Sequence, residues 1–395
     1  MYQISEQPFD DIEILIYSNA RASSGVDDDA VNQAGYYVKL RHAEGEATNE
    51  CPPLPYNEFE RLASNSVEYG TRLFNWLFKD KVGEKNKVGE AFRQALWKTE
   101  SVSFAPEPKS GLRVRLWLDD KAQRLQTLRW EALFDPRRAE PLSLRIPFSR
   151  FVRVRATRAQ EIYERPLRLL LIAANVEGLP DFDLTAVDDV LNRMVDSSGS
   201  TALRQLLELE KLVGRPTLAE LEAKLSKSYH IIQLWVHAES EGGQSQLIFS
   251  DEAGHPQKVS FDAGIKLVER NPPQLVFLIT SSAKDEKSDV IQDGLGPRLL
   301  EIGVQAVVAV QSEMGTEELV QFTQRFYTVL FRTGLIDVAV VEARNKIYQP
   351  ERWDWARPTL YVRTQEAQLF QPLPEFLESI VQSQAIKEVF HGYNR

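Results

Sequence analysis

Two segments of the sequence place a possible base and possible nucleophiles directly after apolar runs. His237 follows the segment Tyr-His-Ile-Ile-Gln-Leu-Trp-Val, and Ser281 and Ser282 follow Leu-Val-Phe-Leu-Ile-Thr. A histidine beside a hydroxyl or thiol group can accept its proton and turn that group into a nucleophile. The residue types at these two places therefore indicate a base–nucleophile pair.

The elements that would position this pair are strands of a mostly parallel sheet. From residue 167 onward, short apolar runs alternate with stretches of helical periodicity, which is typical of βαβ units. The predicted strands are Leu167–Ala174, Ile231–Val236, Leu275–Thr280 and Ala306–Gln311, with Gln205–Leu212 at an edge. The carboxyl ends of such strands form the usual cleft of an open α/β sheet, and we expect His237 and Ser281 to meet there.

The first 165 residues have a different pattern, which predicts an α+β region packed on the sheet. The predicted strands here are Ile12–Tyr17, Tyr36–Arg41, Leu112–Leu118, Leu128–Phe134 and Phe148–Arg155, around a helical stretch at about Glu58–Leu96. We interpret the acidic segment Ala20–Ala34 as a hairpin tip. The predicted domains are residues 1–160, residues 161–365 and a helical tail at residues 366–395.

Composition excludes several classes of function. Acidic residues outnumber basic ones by 57 to 47, and a net charge of -10 argues against binding to duplex nucleic acid. We interpret the basic run Arg150–Arg158 as a strand with a solvated arginine edge. Cys51 is the single cysteine, which favours a reducing cytoplasm. No apolar run approaches the roughly 20 residues that span a bilayer, and no Cys/His cluster has metal-ligand spacing, so we expect no membrane segment and no cofactor.

Several motifs, in their order along the chain, resemble one family. They are residues 128–136 (Leu-Arg-Trp-Glu-Ala-Leu-Phe-Asp-Pro), 303–311 (Gly-Val-Gln-Ala-Val-Val-Ala-Val-Gln) and 355–363 (Trp-Ala-Arg-Pro-Thr-Leu-Tyr-Val-Arg). Together with the strands that end at His237 and Ser281, they resemble the CHAT-domain family, relatives of caspases with the clan CD cysteine peptidase fold. The resemblance covers about residues 110–365 and implies a caspase-like α/β fold, with a mostly parallel sheet flanked by helices.

The resemblance also implies roles for individual residues. His237 takes the place of the catalytic base, and Ser281 the place of the nucleophilic cysteine, with Ser282 as the alternative. The backbone N–H of Ala238 is expected to bind the oxyanion, and Asp285 and Glu239 to line the substrate cleft. The resemblance further implies a protein substrate or a regulatory protein partner, and a role in a bacterial defence or signalling system.

A serine at position 281 leaves two hypotheses open. Serine is a far weaker acid than cysteine, and the sequence requires no Asp or Glu behind His237 to compensate. An active serine peptidase is therefore the least favoured interpretation. Either the natural protein is a cysteine peptidase in which Ser281 is an engineered, inactivating change, or the chain is a natural pseudo-peptidase that acts as a protein-binding scaffold. The glycine-free sequence Val236-His237-Ala238 supports the second hypothesis.

Overall fold

The computed structural model describes most of the chain in two compact units. Described are residues 9–19, 35–80, 83–100, 111–119, 122–152, 166–185, 188, 191, 207–241, 244–282, 294–311, 314–363 and 367–371. Unit 1 consists of Met1–Arg153 and Ile347–Tyr361, and unit 2 of Val154–Lys346 and Val362–Arg395. The predicted hairpin tip at residues 20–34 lies outside the described residues, as does the predicted tail from residue 372. The predicted domain boundaries stay predictions.

The described residues form strands throughout the chain. In chain order they are β1 Asp10–Ser18, β2 Tyr36–His42, β3 Gly45–Cys51, β4 Leu112–Leu118, β5 Phe134–Asp135, β6 Glu140–Pro141, β7 Phe148–Phe151, β8 Leu167–Ala174, β9 Leu207–Gly214, β10 Ile231–Glu241, β11 Gln244–Ser250, β12 Pro256–Ser260, β13 Leu275–Ser282, β14 Ala306–Gln311 and β15 Thr359–Val362. The predicted strands at residues 112–118, 167–174 and 306–311 have the predicted bounds.

Helices separate most of these strands. They are α1 Tyr56–Arg61, α2 Ser66–Phe78, α3 Lys87–Glu100, α4 Gln123–Gln126, α5 Leu218–Leu225, α6 Phe261–Glu269, α7 Leu295–Glu301, α8 Thr316–Thr333 and α9 Ile336–Ile347, with short 3-10 helices at Leu62–Ser64, Trp130–Ala132, Leu142–Leu144 and Asp354–Ala356. The alternation of strands and helices confirms the predicted α/β class.

Unit 1 contains a mixed sheet in the order β15-β7-β4-β1-β2-β3. β4 is parallel to both β1 and β7, whereas β1, β2 and β3 form an antiparallel meander. β3 ends at Cys51, which is buried, and its thiol donates to the carbonyl oxygen of Trp76 at 3.5 Å. The chain's one sulfhydryl is therefore a core group of α2 and the sheet edge.

Two predictions for unit 1 are wrong. Leu128–Phe134 contains the 3-10 helix Trp130–Ala132, followed by the two-residue strand β5. Trp130 is buried, and its indole N–H donates to the carbonyl oxygen of Leu125 at 2.7 Å, so the apolar run packs a turn and not a strand. Arg150 is not part of a solvated edge. It is buried, and its guanidinium forms two hydrogen bonds to the Glu131 carboxylate, at 3.0 and 2.7 Å, and one each to the carbonyl oxygens of Gln126 and Leu128.

Unit 2 is built on the parallel strands that the sequence predicts. β8 lies between β9 and β10, β10 pairs with β13, and β13 pairs with β14, all in parallel. The hairpin β11–β12, which the sequence analysis missed, adds antiparallel strands. The mostly parallel sheet is thus confirmed, with β9 placed outside β8 as the predicted edge strand.

Helices cover the sheet of unit 2 through local signals that the sequence carries. Thr217 and Glu220 form a capping box at the start of α5, and Ser260 caps α6 by accepting from the N–H of Ala263. α8 packs rings of Phe322, Phe326 and Tyr327 around Phe277 of β13. These contacts bury the middle of β13 and leave its carboxyl end for other elements.

The end of α8 has a backbone requirement that only glycine meets cheaply. Gly334 has φ of +72°, and a Cβ atom there would lie 1.9 Å from the carbonyl oxygen of Phe370. Its N–H bonds the carbonyl oxygen of Leu330 at 2.7 Å, which closes the helix with a left-handed residue.

Candidate active site

Along one edge of β10, the strand that pairs with it changes from β8 to β11 at His237. β8 pairs with residues 231–236 and ends at Ala174, and β11 pairs with β10 from His237 to Glu241. β13 occupies the opposite edge of β10, over residues 231–238. The chain that leaves β8 must therefore turn away beside His237, and this turn builds the site.

The structure brings the two predicted catalytic positions side by side. His237 and Ser281 are register partners on β10 and β13, and Ala238 and Ser282 are the next pair. Register partners on parallel strands face the same side of the sheet, whereas successive residues alternate between sides. Positions 237 and 281 therefore share one face, and position 282 belongs to the other.

The loop after β8 covers the imidazole of His237, which is completely buried. The ring nitrogen Nε2 lies 3.0 Å from the carbonyl oxygen of Pro180. The ring of Phe182 stacks on the imidazole, with centroids 4.5 Å apart and an angle of 21° between the planes. Phe182 also contacts Trp235, two residues before His237 on the same face. One loop thus supplies both a polar and an aromatic contact to the predicted base.

These contacts define the protonation state of His237. A carbonyl oxygen only accepts, so Nε2 carries the proton and donates it to Pro180. In the neutral ring Nδ1 is then the basic nitrogen, and it makes no hydrogen bond to any described residue. Burial lowers the pKa of His237, while the hydrogen bond to Pro180 and the charge of Asp181 act in the opposite direction. Burial prevails, and the imidazole is neutral near pH 7 with one nitrogen ready to accept a proton.

Ser281 is half-buried at the end of β13. Its hydroxyl does not donate to His237, because Nδ1 has no hydrogen-bond partner among the described residues. The group that orients His237 is an uncharged carbonyl. In a serine protease a buried carboxylate stabilises the imidazolium that forms when the hydroxyl loses its proton. Without such a carboxylate at Nε2, this arrangement suits a thiol better than a hydroxyl.

The other predicted site residues have varied positions. β10 continues past His237 to Glu241, beyond the predicted end at Val236, because β11 extends the pairing. Ala238 pairs with Leu247 on one side and Ser282 on the other, so its N–H points into a ladder and would reach an oxyanion only if the end of β10 separated. Its predicted role stays a prediction.

Two further residues were predicted to line the cleft. Glu239 is buried and ion-paired with Lys258 of β12, two residues beyond His237 on β10. Asp285 lies outside the described residues. Their proposed contribution to substrate binding stays a prediction.

Sequence reasoning missed the loop after β8. Pro180 and Phe182 contact His237 although they lie 57 and 55 residues before it, the first separation being that of the hydrogen bond. The available signal was Asn175, a polar residue directly after the predicted strand Leu167–Ala174 and beside the end of β10. Functional side chains gather at the carboxyl ends of parallel strands, and this holds for the end of β8 as it does for His237 and Ser281.

Within the described residues, no three His, Cys, Asp or Glu side chains are grouped so that they could hold a metal ion. No helix in the described ranges combines the length and apolar character needed to cross a membrane.

The chain matches a known protein family over most of its length. The model of the CHAT domain family matches residues 67–378, which is well over half of the chain. The chain therefore belongs to the CHAT domain family, as the ordered motifs predict. No curated protein matches the chain in sequence.

Solved structures of similar architecture include three that are 11% identical to the chain. One is the separase–securin complex of Saccharomyces cerevisiae, with a TM-score of 0.46, covering 89% of this chain and 30% of the other. The Arg-specific cysteine proteinase gingipain R has a TM-score of 0.40, with 80% and 77% covered. The Drosophila initiator caspase Dronc has a TM-score of 0.31, with 55% and 93% covered. The chain thus matches less than a third of the length of the separase-complex chain.

Proposed function

We propose that the chain is a CHAT-family peptidase, built for peptide-bond hydrolysis by a cysteine/histidine pair, and inactive as written because Ser281 occupies the nucleophile position. His237 is the base, and position 281 supplies the nucleophile. The observation that carries the proposal is the register of β10 and β13, which sets these two positions side by side on one face.

The geometry of His237 supports a role as proton acceptor. Its Nε2–H is fixed on the Pro180 carbonyl oxygen, and Nδ1 keeps a free lone pair with respect to the described residues. A thiol at position 281 would pass its proton to Nδ1, and the thiolate would attack the carbonyl carbon of the scissile bond. The imidazolium would then protonate the leaving amine, and water would release the acyl group.

Ser281 interrupts this sequence at its first step. A thiol has a pKa of about 8.5 and reaches the thiolate beside an imidazole, whereas a hydroxyl needs a base strengthened by a buried carboxylate. The partner of Nε2 in this chain is a backbone carbonyl oxygen. We therefore expect no measurable hydrolysis by the chain with Ser281.

The test is the variant Ser281→Cys, assayed with peptides that carry Arg, Lys or Leu before the scissile bond. We expect hydrolysis that disappears when His237→Ala is added. Ser282→Cys is the matched control, because it places a thiol one residue further on at the register position of Ala238. Equal activity of the two thiol variants would contradict the assignment of position 281.

A natural pseudo-peptidase that serves as a protein-binding scaffold is the alternative. It is favoured by Ser281 itself and by the position of Ala238, which is paired on both sides within the sheet. No hydrolysis by Ser281→Cys, in the presence of co-purifying proteins as well as alone, would establish this alternative over the peptidase.

The cellular setting and the partners of the chain are part of the proposal. We propose a cytoplasmic protein in a bacterial defence or signalling system, with a protein substrate or regulatory partner and without binding to nucleic acid or membranes. The family membership, the single cysteine and the net charge of -10 support this setting. Affinity purification of the full chain from its native cells, followed by mass spectrometry, tests it.

A further inference from the structure

Asn175 connects the end of β8 with the ends of β9 and β11 and with the loop that follows β8. It directly follows β8, and its backbone N–H donates to the carbonyl oxygen of Gly214, the last residue of β9, at 2.7 Å. Its carbonyl oxygen accepts from the hydroxyl of Ser250, at the end of β11, at 3.2 Å. Both backbone polar groups of Asn175 are thus anchored to the sheet.

The side chain of Asn175 points into the loop that covers His237. Its Oδ1 accepts a hydrogen bond from the backbone N–H of Phe182 at 2.9 Å. This bond spans seven residues and closes the loop at the residue whose ring lies on the imidazole. Pro180, whose carbonyl oxygen holds Nε2, lies inside the closed loop.

We propose that Asn175 is a positioning residue, which holds Pro180 and Phe182 against His237 and thereby keeps Nδ1 as the proton-accepting nitrogen. The positioning itself is independent of any reaction, and its consequence for catalysis rests on the proposed function. Asn175 touches neither His237 nor position 281 in a hydrogen bond, so it acts only through the loop.

The physical reason is the cost of holding a loop in one conformation. Between the end of β8 and Phe182, Val176 is buried and its carbonyl oxygen accepts from the N–H of Leu179 at 3.2 Å, but Pro180 and Asp181 beyond them are exposed. Without the acceptor at Asn175, the Phe182 N–H would have to turn toward water, and the loop would gain conformational entropy by leaving the sheet. The ring of Phe182 and the carbonyl oxygen of Pro180 would move with it.

The aromatic stacking provides a direct measurement. The chain has five histidines, so selective isotope labelling of histidine in the full chain gives a small set of NMR signals. Because the Phe182 ring stacks on the imidazole, we expect its ring current to shift the His237 ring protons upfield, and we expect Asn175→Ala to move that signal to the position of an exposed histidine. His237→Gln assigns the signal. His230, whose Nδ1 accepts from the N–H of Arg168, is the internal reference and should not change.

Two variants separate positioning from general loosening. Asn175→Asp keeps an oxygen acceptor for Phe182 and should retain the upfield signal. Ser250→Ala removes a hydrogen bond to the backbone of Asn175 but leaves its side chain, so it is the matched control and should also retain the signal. If Asn175→Ala does not fold, Asn175→Ser, whose hydroxyl is too short to reach Phe182, replaces it.

A second measurement uses the active form that the proposed function predicts. In Ser281→Cys, Asn175→Ala should lower kcat by about 10- to 100-fold with a smaller change in KM, and Asn175→Asp should restore most of it. An unchanged His237 signal in Asn175→Ala would overturn the proposal, as would loss of the signal in Ser250→Ala. If Ser281→Cys hydrolyses nothing, the proposed function fails, and the NMR signal still decides the positioning role.

Discussion

Each of the two units buries a polar side chain, and the two side chains differ in how many hydrogen bonds they make. In unit 1 the guanidinium of Arg150 has hydrogen bonds from Nε and both terminal nitrogens, and the Glu131 carboxylate neutralises its charge. In unit 2 the imidazole of His237 is as deeply buried, but Nδ1 has no hydrogen bond within the described residues. A buried polar group whose hydrogen bonds are all made contributes to the stability of the fold. A buried group that keeps a lone pair without a hydrogen bond is available to bind or react.

The pKa values of the two side chains shift in opposite directions relative to burial, since only Arg150 has a buried counter-ion. Burial by itself would lower the pKa of Arg150, but the charge of Glu131 and its hydrogen bonds, together with the nearby Tyr361 and Tyr69, outweigh burial and raise the pKa above its usual range. For His237 burial is the largest influence and lowers the pKa. The arginine therefore stays charged at every accessible pH, whereas the histidine is neutral at pH 7.

The largest expected effect is the loss of the Glu131 carboxylate. Glu131→Leu leaves the Arg150 charge buried without a counter-ion, and we expect a loss of about 3–5 kcal/mol in the free energy of unfolding, measured by urea denaturation. Glu140→Leu is the matched control, since its ion pair with Arg145 at 2.8 Å is partly exposed, and it should cost less than about 1 kcal/mol. Equal losses would show that the buried pair has no special weight.

The pH dependence of stability should reveal the buried histidine. Because the folded state lowers the pKa of His237, the unfolded chain takes up a proton first as the pH falls through about 6.5, the ordinary value. Stability should therefore decrease below that pH, by at most about 1.4 kcal/mol per pH unit for one proton. His237→Gln should show a shallower decrease in denaturation series between pH 7.5 and 5.5. Parallel curves for both proteins would mean that His237 titrates normally.

A smaller effect is expected for a buried hydroxyl that has no place in the proposed chemistry. Thr323 of α8 is completely buried, and its Oγ1 has no hydrogen bond to the described residues. Thr323→Val removes this group at nearly constant volume and should raise the free energy of unfolding by roughly 1 kcal/mol. In the control Thr328→Val, the lost hydroxyl is exposed and bonds the Gln324 carbonyl oxygen at 2.7 Å, so the same gain is not expected. A destabilised Thr323→Val would indicate that the hydroxyl has an unrecognised role.

The sequence predicts well those parts of the fold that depend on local pattern. Near-continuous apolar runs place β8 and β14 with their observed bounds, and Thr217 and Ser260 mark the starts of two helices. The register of β10 and β13 follows from the same patterns, since both strands end in polar residues after similar apolar runs. The adjacency of positions 237 and 281 could therefore be predicted.

Contacts between distant segments could not be predicted in the same way. The burial of Arg150 depends on Glu131, which lies inside the 3-10 helix Trp130–Ala132, and the apolar residues at 128–134 fit a strand equally well by pattern. β11 and β12 carry many polar side chains, so nothing in their composition marks a strand. The Pro180 loop is held by Asn175 through its hydrogen bond to the Phe182 N–H, and no local periodicity of the sequence indicates this bond.

Cys51 gives the chain a practical property for labelling. Its thiol is enclosed by α2 and the sheet edge, so alkylating reagents should leave the folded chain almost unmodified. A cysteine introduced at position 281 would then be the single reactive thiol. The dependence of its alkylation rate on pH would give the pKa of this thiol and so show how far His237 favours the thiolate. The same site could carry a covalent inhibitor or a fluorescent group without any other change to the chain.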